Sequence, residues 1–312
     1  MIWAYSSAVE QPAHNRLVPG SIPGGPTIGA ISSAGRAPAL QAGCRRFDPV
    51  IAHHKKKPYL FADGVLCFVF RERSRSKVLN VSERIKQLAK MTPRGSKVAD
   101  IGTDHGLLPC YLVLEGIAPY VIAADQRSGP LRSAEKNVKA YGCVDKVDLR
   151  LGAGLKVLSP GEVSTLILAG LGGKTIKQIL CDAPEISNNV EQIICQPMNA
   201  AAEVRFFIEQ SGWMIDNEEL IFEDGRIYEF ISAKKGMMPK MTRAEALYGP
   251  LLLGSRHRLL SRQLEKDLKA LQEILIQLTK STTSSSKHKY AEFMKKEKMI
   301  KELLECLSAA KK

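Results

Sequence analysis

Residues 97–110 read KVADIGTDHGLLPC, and this stretch decides the fold. Asp100 ends a short apolar run, Gly102 permits a sharp turn of the backbone, and a new apolar periodicity begins at Leu107. A strand that ends in an acidic residue and a glycine turn, followed by a helix, is typical of the pockets of doubly wound sheets. The chain has neither G-x-G-x-x-G nor G-x-x-x-x-G-K-[ST], which disfavours a dinucleotide or a triphosphate. A cationic ligand that carries adenosine fits better, because Asp100 can face its positive charge.

The rest of the chain predicts an α/β fold. Short apolar runs alternate with helical patterns, which indicates a mostly parallel sheet with right-handed crossovers. The predicted strands are 97–101, 120–124, 147–151, 164–169 and 192–196. The predicted helices are 82–91, 107–115, 131–141, 174–183 and 202–210. Two further strands, 213–222 and 226–233, flank an Asp-Gly turn and predict an antiparallel hairpin that closes the sheet.

The C-terminal part predicts a coiled-coil-like, antiparallel helical hairpin. A linker at 236–240 precedes a seam of leucines at heptad-like spacing: Leu260, Leu264, Leu268, Leu271, Leu275 and Leu278. We expect a flexible connection at 280–289 and a second helix over 290–309. The basic residues Arg256, Arg258 and Arg262 are candidates for contact with nucleic acid; a simply solvated surface is the alternative.

Composition and charge limit the class of protein. The chain has 312 residues, of which 45% are hydrophobic, and a formal net charge of +13. The excess of Lys and Arg lies in residues 1–77 and 237–312, whereas residues 78–236 are nearly neutral. This charge favours a polyanionic partner, and the absence of an 18-residue apolar run disfavours a membrane span. Seven scattered cysteines without Cys-x-x-Cys indicate idle thiols in a reducing cytoplasm and no metal site.

Residues 1–77 do not resemble a folded domain, because they are rich in Gly, Pro, Ala, Ser and Arg and show no sustained periodicity. The stretches Gly20–Pro23 and Arg46–Pro49 can be encoded by one nucleotide string read in two frames. That string resembles the T-arm of tRNA genes. We therefore expect this segment to be a translation of upstream tRNA genes, with the true start near Val78 or Leu79. The alternative is a disordered basic extension that grips RNA.

Four motifs together carry a resemblance to a known family. The segment Asp100–Pro109 resembles the first motif of class I methyltransferases that use S-adenosylmethionine. With LAGLGG at 168–173, QPM at 196–198 and YEFI at 228–231, the chain resembles the bacterial tRNA adenine-22 N1-methyltransferases over roughly residues 80–310. The resemblance implies a Rossmann-like methyltransferase domain at 78–236, S-adenosylmethionine as cofactor and tRNA as partner.

The resemblance also implies a set of cofactor-binding residues. Asp100 and Gly102 would lie near the methionine end of the cofactor, and Asp125 would take the ribose hydroxyls. Where the family has Gly-Asp-Gly-Leu, with the acidic residue reaching the adenine amine, this chain has Gly152, Ala153 and Gly154. Loss of such a charge-assisted hydrogen bond costs on the order of 1.5–3 kcal/mol.

Other positions are expected to meet the target base. Ala169 and Gly170 are also expected to bind the cofactor, and they leave open space where its methyl group and the base would meet. Gln196 and Pro197 would shape the same pocket. Where this chain has Met198 the family more often has Asn, and Asn199 would take the role of that residue.

The expected catalytic residues are Asp104 and His105. N1 of adenine has a lone pair and no proton to remove, so placement of the two reactants supplies most of the acceleration. Asp104 would accept from the adenine amine and stabilise the developing positive charge. His105 would orient Asp104 or line the cleft; the alternative is that it caps the next helix.

Two rival functions remain open on the sequence alone. The first is a class I methyltransferase that acts on another RNA or a small molecule, which the nearly neutral central domain favours. The second is an RNA-binding protein with a decayed cofactor site, which Ala153 favours.

Overall fold

A computed structural model describes residues 79–280 and 284–309. Seven strands form one sheet in the order β3-β2-β1-β4-β5-β7-β6. The strands are β1 (Val98–Ile101), β2 (Val121–Asp125), β3 (Val147–Leu151), β4 (Thr165–Leu171), β5 (Gln192–Pro197), β6 (Trp213–Glu223) and β7 (Arg226–Lys235). Strands β1 to β5 pair in parallel, and β7 pairs antiparallel with both β5 and β6. This topology confirms the predicted Rossmann-like methyltransferase sheet.

Helices cover both faces of the sheet. They are α1 (Glu83–Met91), α2 (Leu107–Leu114), α3 (Ser128–Ala140), α4 (Gly173–Cys181), α5 (Pro184–Ser187) and α6 (Ala201–Gln210), and a 3₁₀ turn spans Gly154–Val157. Leu166 and Leu168 of β4 face a core built with α4, α5 and α6, whereas Ile167 faces a core built with α1, α2 and α3. The central strands are therefore buried on both faces, as their continuous apolar runs predict.

Local signals in the sequence mark a helix start and a turn. Ser82 caps α1, and its hydroxyl oxygen accepts a hydrogen bond from the Ile85 amide at 3.4 Å. Asp224 and Gly225 connect β6 to β7 with φ angles of 49° and 76°. Two consecutive positive φ angles are typical of a type I′ turn, whose twist matches that of the flanking strands.

In the part of the chain that the structure describes, four helices follow β7, and we call them the C-terminal arm: α7 (Arg243–Tyr248), α8 (Pro250–Gly254), α9 (Leu260–Thr279) and α10 (Ser284–Ala309). Leu264 and Leu271 of the predicted seam are buried against α10. Leu220 of β6 belongs to the same core, so the arm packs on the outer part of the sheet.

One expectation for the arm is wrong, and two of its helices are not predicted. The connection predicted as flexible over 280–289 is helical from Ser284 onward, because serine is compatible with the first turn of a helix and Tyr290 packs into the core of the arm. The short helices α7 and α8 have no leucine seam, and the sequence pattern does not predict them. A capping box between Thr242 and Glu245 begins α7.

The prediction for residues 1–77 lies outside the described residues. The domain boundary proposed at residues 236 and 237 stays a prediction, since everything described belongs to one compact unit. None of the helices described here has the length and apolar character that a membrane crossing requires.

Candidate active site

A cleft of about 590 Å³ opens at the carboxyl ends of the parallel strands. Small-molecule sites in proteins commonly have volumes of about 300–1,000 Å³. The strand tips bring together all eight residues predicted to bind a cofactor and both predicted catalytic residues. They are Asp100, Gly102, Asp104, His105, Asp125, Gly152, Ala153, Gly154, Ala169 and Gly170. The topology explains this, because parallel strands deliver the residues that follow them to one edge of the sheet.

Asp100 is the last residue but one of β1 and lines the cleft. Burial raises the pKa of its carboxyl group to about 6, and the nearby charge of Asp125 acts in the same direction. The chain then turns at Gly102, where φ is +85°, a conformation that favours glycine. A buried carboxylate without a cation beside it favours a positively charged ligand, because such a ligand would stabilise its ionised form.

Asp125 ends β2 and is almost fully buried beside the cleft. Its Oδ1 accepts a hydrogen bond from the Arg127 amide at 2.8 Å, so the carboxylate also stabilises the turn that leads into α3. Asp125 therefore has a local structural role at the end of β2. Oδ2 is the oxygen left for a ligand hydroxyl.

The segment that follows β3 forms another wall of the cleft. A Cβ atom on Gly152 would lie 2.4 Å from Cγ1 of Val157, so only glycine fits there. Gly154 has a φ of +57° and begins the 3₁₀ turn. Ala153 lies between them on the cleft, where its methyl group offers neither charge nor hydrogen bond.

The tips of β4 and β5 are tied together by Gln196. Its Oε1 accepts a hydrogen bond from the Gly170 amide at 3.2 Å, next to an irregularity in the pairing of β4 with β5. Gln196 is only 1% exposed and does not line the cleft, and neither does Pro197. Asn199 is exposed, and its Oδ1 lies beside Gly172. The structure thus gives Gln196 a role in shaping the cleft, and substrate binding at these positions stays a prediction.

Asp104 and His105 stand at the rim of the cleft, with side chains 59% and 60% exposed. Asp104 has a φ of 48°, which is uncommon for a residue other than glycine and is tolerated best by Asp and Asn. The His105 Nε2 lies 3.4 Å from Asp104 Oδ2. The alternative role of His105 as a helix cap is wrong, because the N-cap of α2 is Gly106 and has no side chain to cap with.

The three predicted RNA-binding arginines lie outside the cleft. Arg256 and Arg258 are exposed in the connection between α8 and α9. Arg262 is on the first turn of α9, and its guanidinium stacks over the ring of Phe222 at 3.8 Å from the ring centroid. Phe222 is the last residue but one of β6, which runs in the same direction as the parallel strands. Arg262 therefore lies on the side of the sheet that carries the cleft.

Arg84 is a cleft residue that the sequence pattern does not predict. It lies in the first turn of α1, lines the cleft and places its guanidinium 4.6 Å from the ring centroid of Tyr228. Its position in the first turn of a helix is a signal in the sequence, because the positive end of the helix dipole disfavours a cation there. An arginine at such a position therefore indicates a role other than helix stability. Across the described residues, no group of three or more His, Cys, Asp or Glu side chains could hold a metal ion.

Comparisons with known proteins agree with this geometry. A family model described as a methyltransferase domain matches residues 81–231. The tRNA (adenine(22)-N(1))-methyltransferase of Bacillus subtilis (strain 168) is 30% identical over 233 residues, which cover 73% of this chain and 98% of that protein. The crystal structure of the B. subtilis enzyme TrmK has a TM-score of 0.68 at 29% identity and covers 72% of this chain and 99% of its own.

A Streptococcus pneumoniae protein, Sp1610, crystallised in complex with S-adenosyl-L-methionine, is similar to the same extent. Its TM-score is 0.66 at 30% identity, and the match covers 72% of this chain and 100% of that chain.

Proposed function

Because the chain belongs to the tRNA (adenine(22)-N(1))-methyltransferase family, we propose that it transfers the methyl group of S-adenosylmethionine to N1 of adenine 22 in tRNA. The observation that carries the proposal is the cleft at the strand tips, where two buried carboxylates stand at the ends of neighbouring strands. We propose the cytoplasm as the site of action, since the substrate is tRNA.

The residues present fit the cofactor. Asp100 offers a buried carboxylate to the positive charge at the methionine end, and burial itself has raised its pKa to about 6. Asp125 offers Oδ2 to the ribose hydroxyls. Gly152 and Gly154 bring backbone close to the adenine end, and the Ala153 side chain offers no charged group there. The buried, unpartnered Nε of Arg84 is a further sign that the cleft is built for a polar ligand.

The cofactor supplies an electrophilic methyl group on a sulfonium when bound. The protein residues do not need to remove a proton, because N1 of adenine carries a free lone pair. Their task is to hold the base in line with the methyl group, which converts an encounter of two molecules into a reaction of positioned groups. Gly170 leaves open space for this approach, since no atom lies within 4 Å of where its Cβ would be.

Asp104 acts on the charge that develops as the base becomes cationic. Its carboxylate at the rim accepts from the adenine amine and stabilises the positive charge, and His105, at 3.4 Å, orients that carboxylate. Both side chains are accessible from solvent, as binding of a macromolecular substrate requires.

A base inside a folded tRNA must leave its stack to enter the cleft. The arm supplies the phosphate contacts that hold the RNA while this happens, through Arg256, Arg258 and Arg262. Recognition then depends on the shape and backbone of the tRNA more than on its sequence.

The test is a methylation assay with the full chain, unmodified tRNA and S-adenosylmethionine, followed by nucleoside mass analysis. We expect N1-methyladenosine, together with saturable cofactor binding in calorimetry. Cofactor binding with a different methylated nucleoside would favour a methyltransferase of other specificity. Binding of tRNA without binding of cofactor would favour an RNA-binding protein with a decayed cofactor site.

A further inference from the structure

Phe222 is an exposed aromatic side chain close to the rim of the cleft. It lies on the face of β6 that packs against the arm through Leu220, yet it is 41% exposed. Its neighbour Glu223 points to the opposite face of the sheet, where its Oε1 accepts a hydrogen bond from the Glu83 amide at 2.6 Å. Because the first turn of α1 also lines the cleft, this hydrogen bond places the end of β6 beside the cleft rim.

The arm covers one side of this ring with a guanidinium. The Cζ atom of Arg262 lies 3.8 Å from the ring centroid of Phe222, which is the separation of a stacked cation and aromatic ring. Arg262 is itself exposed, and no carboxylate among residues 79–280 and 284–309 forms an ion pair with it. The ring therefore holds the guanidinium in a fixed place, and its charge stays available to an anion.

Other basic side chains surround Phe222 and Arg262. Arg256 and Arg258 are exposed in the connection between α8 and α9. Between them, His257 forms a hydrogen bond through Nε2 with Oε1 of Glu219, which fastens this connection to β6. Arg226, the first residue of β7, is exposed at the same end of the hairpin. An open aromatic ring among fixed cations suits a nucleotide, since the ring can take the base and the cations the phosphates.

The other exposed aromatic side chains of the described residues lack these neighbours. Phe206 on α6 is 38% exposed and has no arginine or lysine stacked on it. Tyr120 is 37% exposed and lies beside the carboxylate of Asp148, whose charge would repel a phosphate. Phe222 is thus distinguished by its stacked arginine and by its position near the cleft.

We propose that Phe222 and Arg262 form a nucleotide-binding site for the tRNA substrate outside the cleft. One unpaired base close to the target adenine stacks on the open part of the Phe222 ring, and the Arg262 guanidinium binds the adjoining phosphate. The site would hold the strand open while the adenine is out of its stack. This inference rests on the proposed function, because it takes tRNA as the ligand.

The first test measures binding of unmodified tRNA to the full chain by filter binding at several salt concentrations. Phe222→Leu removes the ring without changing the charge, so Kd should rise about tenfold while its dependence on salt keeps the same slope. Phe222→Tyr keeps the ring and should stay within about twofold of the unmodified protein. Arg262→Gln should weaken binding and lower the slope by about one unit. Phe206→Leu is the matched control and should change neither quantity.

The second test detects the stacking directly. In Phe222→Trp, an indole replaces the ring, and its fluorescence should be quenched when tRNA is added, beyond any change in the unmodified protein. The same substitution at Phe206 is the control and should show no added quenching.

The proposal is overturned if Phe222→Leu, folded as judged by its thermal transition, binds tRNA as the unmodified protein does. It is also overturned if tRNA quenches the indoles at positions 222 and 206 equally. Methylation of tRNA by the unmodified protein together with either result would leave the proposed function intact. If the unmodified protein neither binds nor methylates tRNA, the proposed function fails, and this site fails with it.

Discussion

The guanidinium of Arg205 and the carboxylate of Glu218, neither of them exposed to solvent, lie 2.7 Å apart. Arg205 also donates to the Ala246 carbonyl at 3.2 Å, and Glu218 accepts from the Leu251 amide at 2.8 Å. The pair thus connects α6 and β6 to the two short helices that begin the C-terminal arm. Gly249 makes room for it, because a Cβ there would lie 2.7 Å from Glu218 Oε2.

Removing one member of this pair should strongly destabilise the protein. Glu218→Ala leaves Arg205 buried with Glu229 as its remaining acidic partner, and loss of one partner of a buried pair costs about 3–5 kcal/mol. Urea denaturation measures the change in the free energy of unfolding. Glu292→Ala breaks the half-exposed pair with Arg243 and should cost at most about 1 kcal/mol. Equal losses in the two variants would contradict the role of the buried pair.

The pH dependence of cofactor binding should report on Asp100. Because burial raises the pKa of this carboxyl to about 6, it is protonated below that pH and offers no charge to a cationic ligand. We expect affinity for S-adenosylmethionine to increase as pH rises through about 6. The stability of the unliganded protein should change in the opposite direction. Because the pKa of Asp100 is raised in the folded protein, this group makes the free energy of unfolding fall as the pH rises toward 6.

Calorimetry at a series of pH values between about 5 and 8 checks the prediction. Asp104, His105 and Asp125 also line the cleft, so the comparison with Asp100→Asn isolates the contribution of Asp100. An unchanged pH profile in that variant would show that Asp100 is not the cause of the dependence.

Restoring the acidic residue of the family pattern should tighten the cofactor site. Ala153→Asp places a carboxylate on the adenine wall of the cleft, and a charge-assisted hydrogen bond of about 1.5–3 kcal/mol lowers Kd tenfold or more. Ala270→Asp adds the same charge on the exposed face of α9 and serves as the control in the same titration. A Kd that is unchanged or higher in Ala153→Asp would mean that backbone groups alone hold the adenine.

Replacement of Asp104 should impair the transfer step more than cofactor binding. We expect Asp104→Ala to lower the single-turnover rate of methylation on the order of a hundredfold, because stabilisation of the developing charge is removed. Cofactor affinity should stay within about twofold. Asp224→Ala is the matched control, since Asp224 has almost the same positive φ, 49° against 48°, in the turn between β6 and β7. Similar rate losses in both would indicate backbone strain as the cause.

The arginines of the arm should act on RNA affinity alone. Changing Arg256, Arg258 and Arg262 together to Gln should weaken tRNA binding and flatten its dependence on salt, by about one unit of slope for each phosphate that an arginine no longer neutralises. Filter binding at several salt concentrations measures both effects. The same charge change at Lys90, Arg94 and Lys97, exposed at the opposite edge of the sheet, is the control. Equal effects would point to diffuse attraction without a defined binding surface on the arm.

The sheet is well predicted from the sequence because its signals are local. Strands such as β4 are apolar runs bounded by turn residues, and each strand tip carries the residues of the cleft with it. The direction in which a side chain points at a strand tip is harder to predict from the sequence. Gln196 is predicted to meet the substrate, yet it turns toward the Gly170 amide, because the pleat sends successive residues to opposite sides and the irregularity in β4 shifts the pairing.

Two arginines have positions that the periodicity of the sequence does not predict. Nothing in the segment around Arg205 distinguishes it from a surface residue of an amphipathic helix, since its partners Glu218 and Glu229 lie on other elements. Arg84 reaches the cleft only because α1 starts at the carboxyl edge of the sheet. Both depend on packing between distant segments, which no periodicity in the chain encodes.

The most direct measurement maps the methylated nucleotide. The full chain is incubated with S-adenosylmethionine and either unmodified tRNA or the same tRNA with guanine in place of adenine 22, and the products are digested and sequenced by mass spectrometry. The account predicts N1-methyladenosine at position 22 of the first tRNA and no methylation of the second. Methylation of the second tRNA, or of any other nucleotide in the first, would contradict it.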